Sequence, residues 1–377
     1  MSATHGSTRK VGRLVVCCLA AVLALSALFA SSASAKKAPP TPVNSYVALG
    51  DSLAFGYSQQ LYNEGWSAGD PASGFEHGYV NDYWKKLPSH LETDLVNLGC
   101  PGETSKSLLG NGAIGKALEV AFGATTEAPC AYQEGWNAFH KNGTGGPLHT
   151  PYVGKSQLEA AIEQIAVAES AKRPVAAITL NIGANDELAT VHGCEKEVGE
   201  EFGKEGKSKY GATPEEAVHA CLVSHVPTLI KTIVTNTEAA GYAIRNGASF
   251  GGVNYSGPII FMASYDPYGN VLGKGELLAE SVGLAGVINA TEASHFMQKF
   301  NPAKEEEGFE ACVANPLPKF NPQNSKEPER LQAWTNMANV TETEVEPGVK
   351  KANGPDIHPT KKGYGVLAGV IKKACGV

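Results

Sequence analysis

The sequence predicts an α/β fold: a parallel sheet with helices on both faces, carried by one domain with large insertions. Three observations predict it. Short runs rich in apolar and β-branched residues recur at Tyr46 to Leu49, Asp94 to Leu98, Val175 to Leu180 and Pro258 to Met262. Segments of helical spacing alternate with them, which is the pattern of a sheet wound by crossover helices. The first three runs end in polar turns, Gly50-Asp51-Ser52, Gly99 to Ser105 and Asn181 to Asp186. Open α/β sheets place their chemistry at such carboxyl ends of strands.

The chain of 377 residues begins with a segment outside this pattern. Arg9, Lys10 and Arg13 precede the apolar run Leu14 to Ala30, and Ala33-Ser34-Ala35 offers a small-residue cleavage site. That is the three-part pattern of a secretory signal peptide, expected over residues 1–35. A Pro-rich tether, 36–44, then leads into a single domain over 45–377. No later run is expected to be long and apolar enough to span a membrane. Removing three basic and no acidic residues with the leader takes the net charge from −7 to −10. An acidic balance argues against nucleic acid as a partner.

The strand Tyr46 to Leu49 opens the domain, and the aromatic-rich stretch Tyr57 to Trp84 reads as a substrate-lining insertion or a surface loop with a helix near Val80 to Leu87. After the second strand, Leu109 to His149 is glycine-rich and poor in periodicity, so an insertion is expected there. Leu158, Ala161, Ile162, Ile165 and Ala168 place a helix over Gln157 to Ala171. The third strand follows, then a charged excursion from Val191 to Thr213 and an amphipathic helix from Glu215 to Ala240. Beyond the strand Pro258 to Met262, a helix is expected over Glu276 to Phe300 and a short strand over Glu310 to Ala314. Pro316 to Glu346 reads as a loop or lid, and Lys361 to Lys373 as the last helix.

Six cysteines lie beyond the leader: Cys100, Cys130, Cys194, Cys221, Cys312 and Cys375. An even count in an exported chain reads as disulfides, and pairing in sequence order is the simplest of the connectivities. A zinc site is not expected, because there is no C-x-x-C pair or close Cys/His cluster.

Taken singly, Gly50-Asp51-Ser52 is a turn with a helix cap or a nucleophile at a strand end. A serine hydroxyl needs a neighbouring base, usually an oriented histidine, and donors aimed at the oxyanion that forms on attack. The chain supplies Gly102 after the second strand, Asn185 after the third and His358 before the last helix.

With these residues in place the chain resembles the GDSL esterase/lipase family, the SGNH hydrolases, and in style its secreted actinobacterial members. Gly50-Asp51-Ser52-Leu53 is similar to the name motif, and Asn97 through Thr104 to the second block. Gly183-Ala184-Asn185-Asp186 resembles the G-x-N-D block, and His358-Pro359 with Gly363-Tyr364 the last. The four blocks come in family order over nearly the whole chain beyond the leader. The resemblance implies a three-layer α/β/α sandwich of the flavodoxin-like sort and a secreted serine ester hydrolase. It implies Ser52 as nucleophile, His358 as general base, and the Ser52 N–H, Gly102 N–H and Asn185 amide as oxyanion donors. The family aspartate lies three residues before the histidine, where this chain has Pro355. Asp356, two before, or a backbone carbonyl near Pro355 is left to orient the ring. A Cys194–Cys221 disulfide is similarly implied. The resemblance calls for no metal or organic cofactor. It suggests a small-molecule or lipid ester substrate, transient contact with a lipid surface, and a monomer. The rival readings are an acyltransferase or carbohydrate esterase on the same fold, and a non-catalytic binding module.

Overall fold

The structure, a computed structural model, describes residues 44–68, 73–88, 92–130, 148–267, 286, 289–290, 311–322 and 327–376. All belong to the compact unit Pro42–Val377. The expected leader, and most of the helix expected over Glu276 to Phe300, lie outside the described residues.

Five parallel strands form the central sheet: β1 (Asn44–Gly50), β2 (Thr93–Asn97), β3 (Val175–Asn181), β4 (Ile259–Met262) and β5 (Ala311–Ala314). Their order is β2-β1-β3-β4-β5, the doubly wound order whose direction reverses between β1 and β3. Ligands bind in the crevice at such a switch point.

Between β1 and β2 come α1 (Ser52–Phe55), α2 (Gln59–Ala68) and α3 (Tyr79–Trp84). Between β2 and β3 lie α4 (Ser105–Leu109), α5 (Ala113–Phe122) and α6 (Gln157–Ser170). Between β3 and β4 lie α7 (Ala184–Glu205) and α8 (Pro214–Arg245). After β5 follow α9 (Leu317–Phe320), α10 (Glu327–Trp334), β6 (Thr335–Asn336), β7 (Glu342–Glu346), β8 (Val349–Ala352), β9 (Asp356–Pro359) and α11 (Lys361–Cys375). β6 pairs antiparallel with β9, and β7 with β8.

The apolar character of β1 follows from its position in the middle of the sheet. Successive side chains point to opposite faces, and here both faces are covered. Tyr46 and Ala48 pack with Tyr79, Tyr83, Leu367 and Ile371 on one side. Val47 and Leu49 pack with Leu158, Ile165, Ala240 and Ile244 on the other. A strand buried on both faces reads as a continuous apolar run, with no alternation. The helical spacing read at 158–168 is the stripe of α6 that meets the sheet, and Tyr364, Leu367, Ala368 and Ile371 are the matching stripe of α11.

Four expectations need correction. The charged excursion from Val191 is largely helix: α7 runs on to Glu205, with Cys194, Val198 and Phe202 facing α8. Its Glu and Lys residues favour helix, and Gly193, Gly199 and Gly203 have open space where a Cβ would sit. The insertion after Leu109 contains α5, whose Leu118 is buried while Ile114 and Phe122 pack against the same core. The segment Pro316 to Glu346 is ordered as α9, α10, β6 and β7 where it is described. Lastly, α8 is long and apolar enough, by length and composition, to cross a membrane, with a mean hydropathy of 1.4 in its richest window. Its C-terminal half instead lies in the core beside the sheet, where Asn236, Thr237 and Arg245 are buried.

Disulfides join Cys100–Cys130, Cys194–Cys221 and Cys312–Cys375, with Cα separations of 6.6, 5.8 and 5.7 Å. This is pairing in sequence order. The first ties down the turn after β2, the second clamps α7 to α8 in a satellite core, and the third joins β5 to the end of α11.

Candidate active site

Gly50 ends β1 with φ +144°, and a Cβ there would lie 2.3 Å from the carbonyl oxygen of Asn181. Only glycine lets β1 turn this close to the end of β3. The turn is held by Asp51 N–H donating to Asn181 O at 3.2 Å and Cys100 N–H donating to Gly50 O at 3.0 Å. Asp51 then caps α1, its Oδ1 accepting the Leu53 N–H at 2.8 Å. Ser52, the first residue of α1, is left half-buried at the carboxyl end of the sheet.

His358 Nε2 lies 2.8 Å from Ser52 Oγ, and its Nδ1 lies 2.5 Å from Asp356 Oδ1. The strand β9 explains why an aspartate only two residues away reaches the ring: in extended backbone residues i and i+2 share a face. Asp356 Oδ1 also accepts the His358 backbone N–H at 3.1 Å, and Oδ2 accepts the Gln59 N–H at 2.8 Å. The strand is pinned from two sides. Asn336 Nδ2 donates to the carbonyls of His358 and Pro359 at 3.1 Å each, and Tyr265 O–H donates to that of Ile357 at 2.6 Å. Tyr57 lays its ring 4.7 Å from the imidazole, and Tyr364 O–H holds the Tyr57 carbonyl at 2.7 Å. A hydroxyl, an imidazole and a carboxylate joined in this way can pass a proton from oxygen to nitrogen as the oxygen attacks.

Gly102 follows β2 in a tight turn with φ +81° and is exposed. Asn185 opens α7 after Gly183, whose φ is +115°. The two segments are laced together. Asn185 Nδ2 donates to Glu103 O at 2.9 Å, and the Asp186 carboxylate accepts from Ser105 N–H at 2.7 Å and Ser105 Oγ at 2.8 Å. An Asn amide carries two donor hydrogens, so one remains for a ligand. Ser52, Gly102 and Asn185 thus sit after the adjacent strands β1, β2 and β3 at the switch point.

The site is backed by two buried carboxyls, Asp51 and Glu103, and by the half-buried Glu187. Burial pushes Asp51 up to about 7 and Glu103 up to about 8, the latter against hydrogen bonds from Ser107 and Tyr152. Burial, with Asp266, Asp186 and Asp51 nearby, pushes Glu187 up to about 8. Asp51 Oδ2 and Glu187 Oε1 have no hydrogen-bond partner among the described residues. Two clusters have metal-ligand spacing, Cys194 with Cys221 and His225, and Cys100 with Glu103 and Cys130. Each contains a disulfide, so neither offers a thiolate.

Sequence reasoning missed Glu103 and Gln157, the latter bonding to both Gly50 and Glu103, and it gave Tyr57 only as the start of a substrate-lining stretch or surface loop. Glu103 stands inside the Pro-Gly-Glu-Thr block and was within reach of motif reading. Gln157 had no signal, being one polar residue at the start of an amphipathic helix.

No family model matches the chain, and no curated protein sequence does. Some solved structures are similar to it. One is an alpha/beta hydrolase enzyme from the metagenome of Lake Arreo, Spain, with 13% identity and a TM-score of 0.35 over 89% of this chain and 96% of that one. Another, from Parabacteroides merdae, is described as a GDSL-like lipase, with 10% identity and a TM-score of 0.39 over 89% and 97% of the two chains. A catalytic mutant of an acetylxylan esterase from Geobacillus stearothermophilus has 11% identity and a TM-score of 0.31 over 90% and 97%. Likeness this slight carries no role for any residue of this chain.

Proposed function

We propose that the chain is a secreted serine hydrolase of carboxylic esters, of the GDSL or SGNH kind. The observation that carries the reading is the unbroken hydrogen-bond line from Ser52 Oγ through the His358 imidazole to Asp356. Ser52 Oγ attacks the ester carbonyl while His358 Nε2 takes its proton. The oxyanion that forms is met by the Ser52 and Gly102 N–H groups and the free Asn185 amide hydrogen. His358 then returns the proton to the leaving alcohol, and a Ser52 acyl ester remains. Water, deprotonated by the same imidazole, releases the acid and restores Ser52. Asp356 holds the ring and stabilises the imidazolium in both halves of the cycle. This chemistry needs no metal or organic cofactor and no second subunit. The leader pattern and three disulfides support export to an oxidising compartment.

Two substrate classes fit this chemistry, a lipid or small acyl ester and a carbohydrate ester.

Covalent labelling with a fluorophosphonate tests the reading. Native protein takes up one label and loses esterase activity, and Ser52→Ala takes up none. Equal labelling of the two proteins would sink the assignment of Ser52. Rates on p-nitrophenyl esters of increasing chain length, set beside acetate release from acetylated polysaccharide, separate the two substrate classes.

A further inference from the structure

Behind the hydroxyl and amide groups of the site, the loops that carry them converge on two buried side chains. Gln157, the first residue of α6, has no exposed surface. Its amide engages Gly50 on both sides: Oε1 accepts the Gly50 N–H at 2.5 Å, and Nε2 donates to Gly50 O at 3.0 Å. The same Nε2 donates to Glu103 Oε2 at 3.0 Å. A Gln amide has two donor hydrogens, and the two short contacts use both.

Glu103 is 1% exposed. Its Oε1 accepts from Ser107 Oγ at 2.5 Å, its backbone carbonyl accepts from Asn185 Nδ2 at 2.9 Å, and its own peptide joins it to Gly102. The two side chains therefore join the nucleophile turn two residues before Ser52 to the start of the helix at Ser107, and they anchor the Glu103 backbone, whose carbonyl meets the Asn185 amide. Burying a carboxyl is costly; burial holds Glu103 protonated up to about pH 8, and both its oxygens are hydrogen-bonded. An apolar filler of the same volume would serve the core equally well and would align nothing.

We propose that Gln157 and Glu103 are the positioning residues that hold the three oxyanion donors in register with Ser52. The inference rests on the reading of Ser52, Gly102 and Asn185 given above. Neither side chain touches the substrate. Gln157 fixes the direction in which β1 enters the turn, and Glu103 fixes the distance between Gly102 and Asn185. Donors must sit within tenths of an ångström of the developing oxyanion to favour it over the ground-state carbonyl.

The test is a comparison of Glu103→Leu, Gln157→Leu and Glu103→Gln with the native protein, on p-nitrophenyl acetate, with active sites counted by fluorophosphonate labelling. Both Leu variants are expected to lose roughly 10–100-fold in kcat per labelled site, with KM changed by less than about threefold. Glu103→Gln recovers kcat to within about fivefold of native, because its amide still accepts from Gln157 and can donate to Ser107. Unchanged kcat per site in the Leu variants overturns the proposal, as does a loss confined to KM or to the number of labelled sites. A Glu103→Gln variant as slow as Glu103→Leu also overturns it, since geometry is then not what Glu103 supplies. If the Leu variants do not fold, Gln157→Met, close in shape and without the amide, takes their place under the same criteria. A native protein that neither hydrolyses esters nor takes the label defeats the parent reading. A native protein that does both, with variants of native kcat, defeats this inference alone.

Discussion

Asp356 shows how a one-residue change of spacing is absorbed by local geometry. Its carboxylate reaches His358 Nδ1 because both lie on one face of β9, and it accepts the Gln59 N–H as well. A backbone carbonyl near Pro355 was the rival for this role, and the short contact to the ring is made by the Asp356 side chain. Asp356→Ala should lower kcat by roughly 10³–10⁴, as expected when the group that fixes the tautomer of a catalytic histidine is removed. Steady-state kinetics on a short-chain p-nitrophenyl ester checks this. A loss below tenfold would return the role to the backbone.

At the scale of elements, the long pair α7 and α8 carries two different loads. The first turn of α7 belongs to the site, through Asn185 and Asp186. Its far end joins α8 in a satellite core of Cys194, Val198, Ala217 and Cys221. That core is small, so the disulfide supplies much of what holds the arm. Closing a loop of 27 residues is worth roughly 3–4 kcal/mol in the chain-entropy model. The paired change Cys194→Ala with Cys221→Ala should loosen the arm while leaving the sheet intact. Hydrogen exchange is expected to rise over 194–225 and to stay low in β1 and β3, with kcat on a small ester nearly unchanged. Equal loss of protection in β1 and β3 would show that arm and sheet unfold as one unit.

For the whole molecule, the carboxyls behind the site tie stability to pH. Asp51, held at about 7, and Glu103 and Glu187, held at about 8, lie above the ordinary carboxylate range. In the unfolded chain all three ionise near pH 4, so between that pH and about 8 the folded state holds more protons. Stability therefore falls as pH rises through this window and levels above it. His149 acts in the opposite direction: burial lowers its pKa, and it costs stability only below about 6.5, where the unfolded imidazole charges. The interval from pH 6.5 to 8.5 isolates the carboxyls. Tm is expected to fall across it at constant ionic strength, and to fall less in Glu187→Gln. A Tm that climbs from 6.5 to 8.5 would contradict the assignment of these groups as held protonated by the fold.

The sequence by itself determined the sheet and the order of the site blocks, and it made pairing in sequence order the simplest of the cysteine connectivities. β1 and β3 are buried on both faces, so their apolar runs are strong and local. Gly50 and Gly102 were legible because a left-handed backbone and a close approach demand glycine wherever they occur. What the tertiary structure decided depended on partners distant in the chain. The helical state of 191–205 comes from a stripe that needs α8 to face it. The contact of Asp356 with the His358 ring needs β9 to be extended, and β9 is extended because it pairs with β6. Gln157 acquires meaning only where α6 starts beside Gly50, 107 positions away. A hydrogen bond across such a distance leaves no periodicity or spacing in the sequence to read, because its strength depends on where two atoms meet after folding.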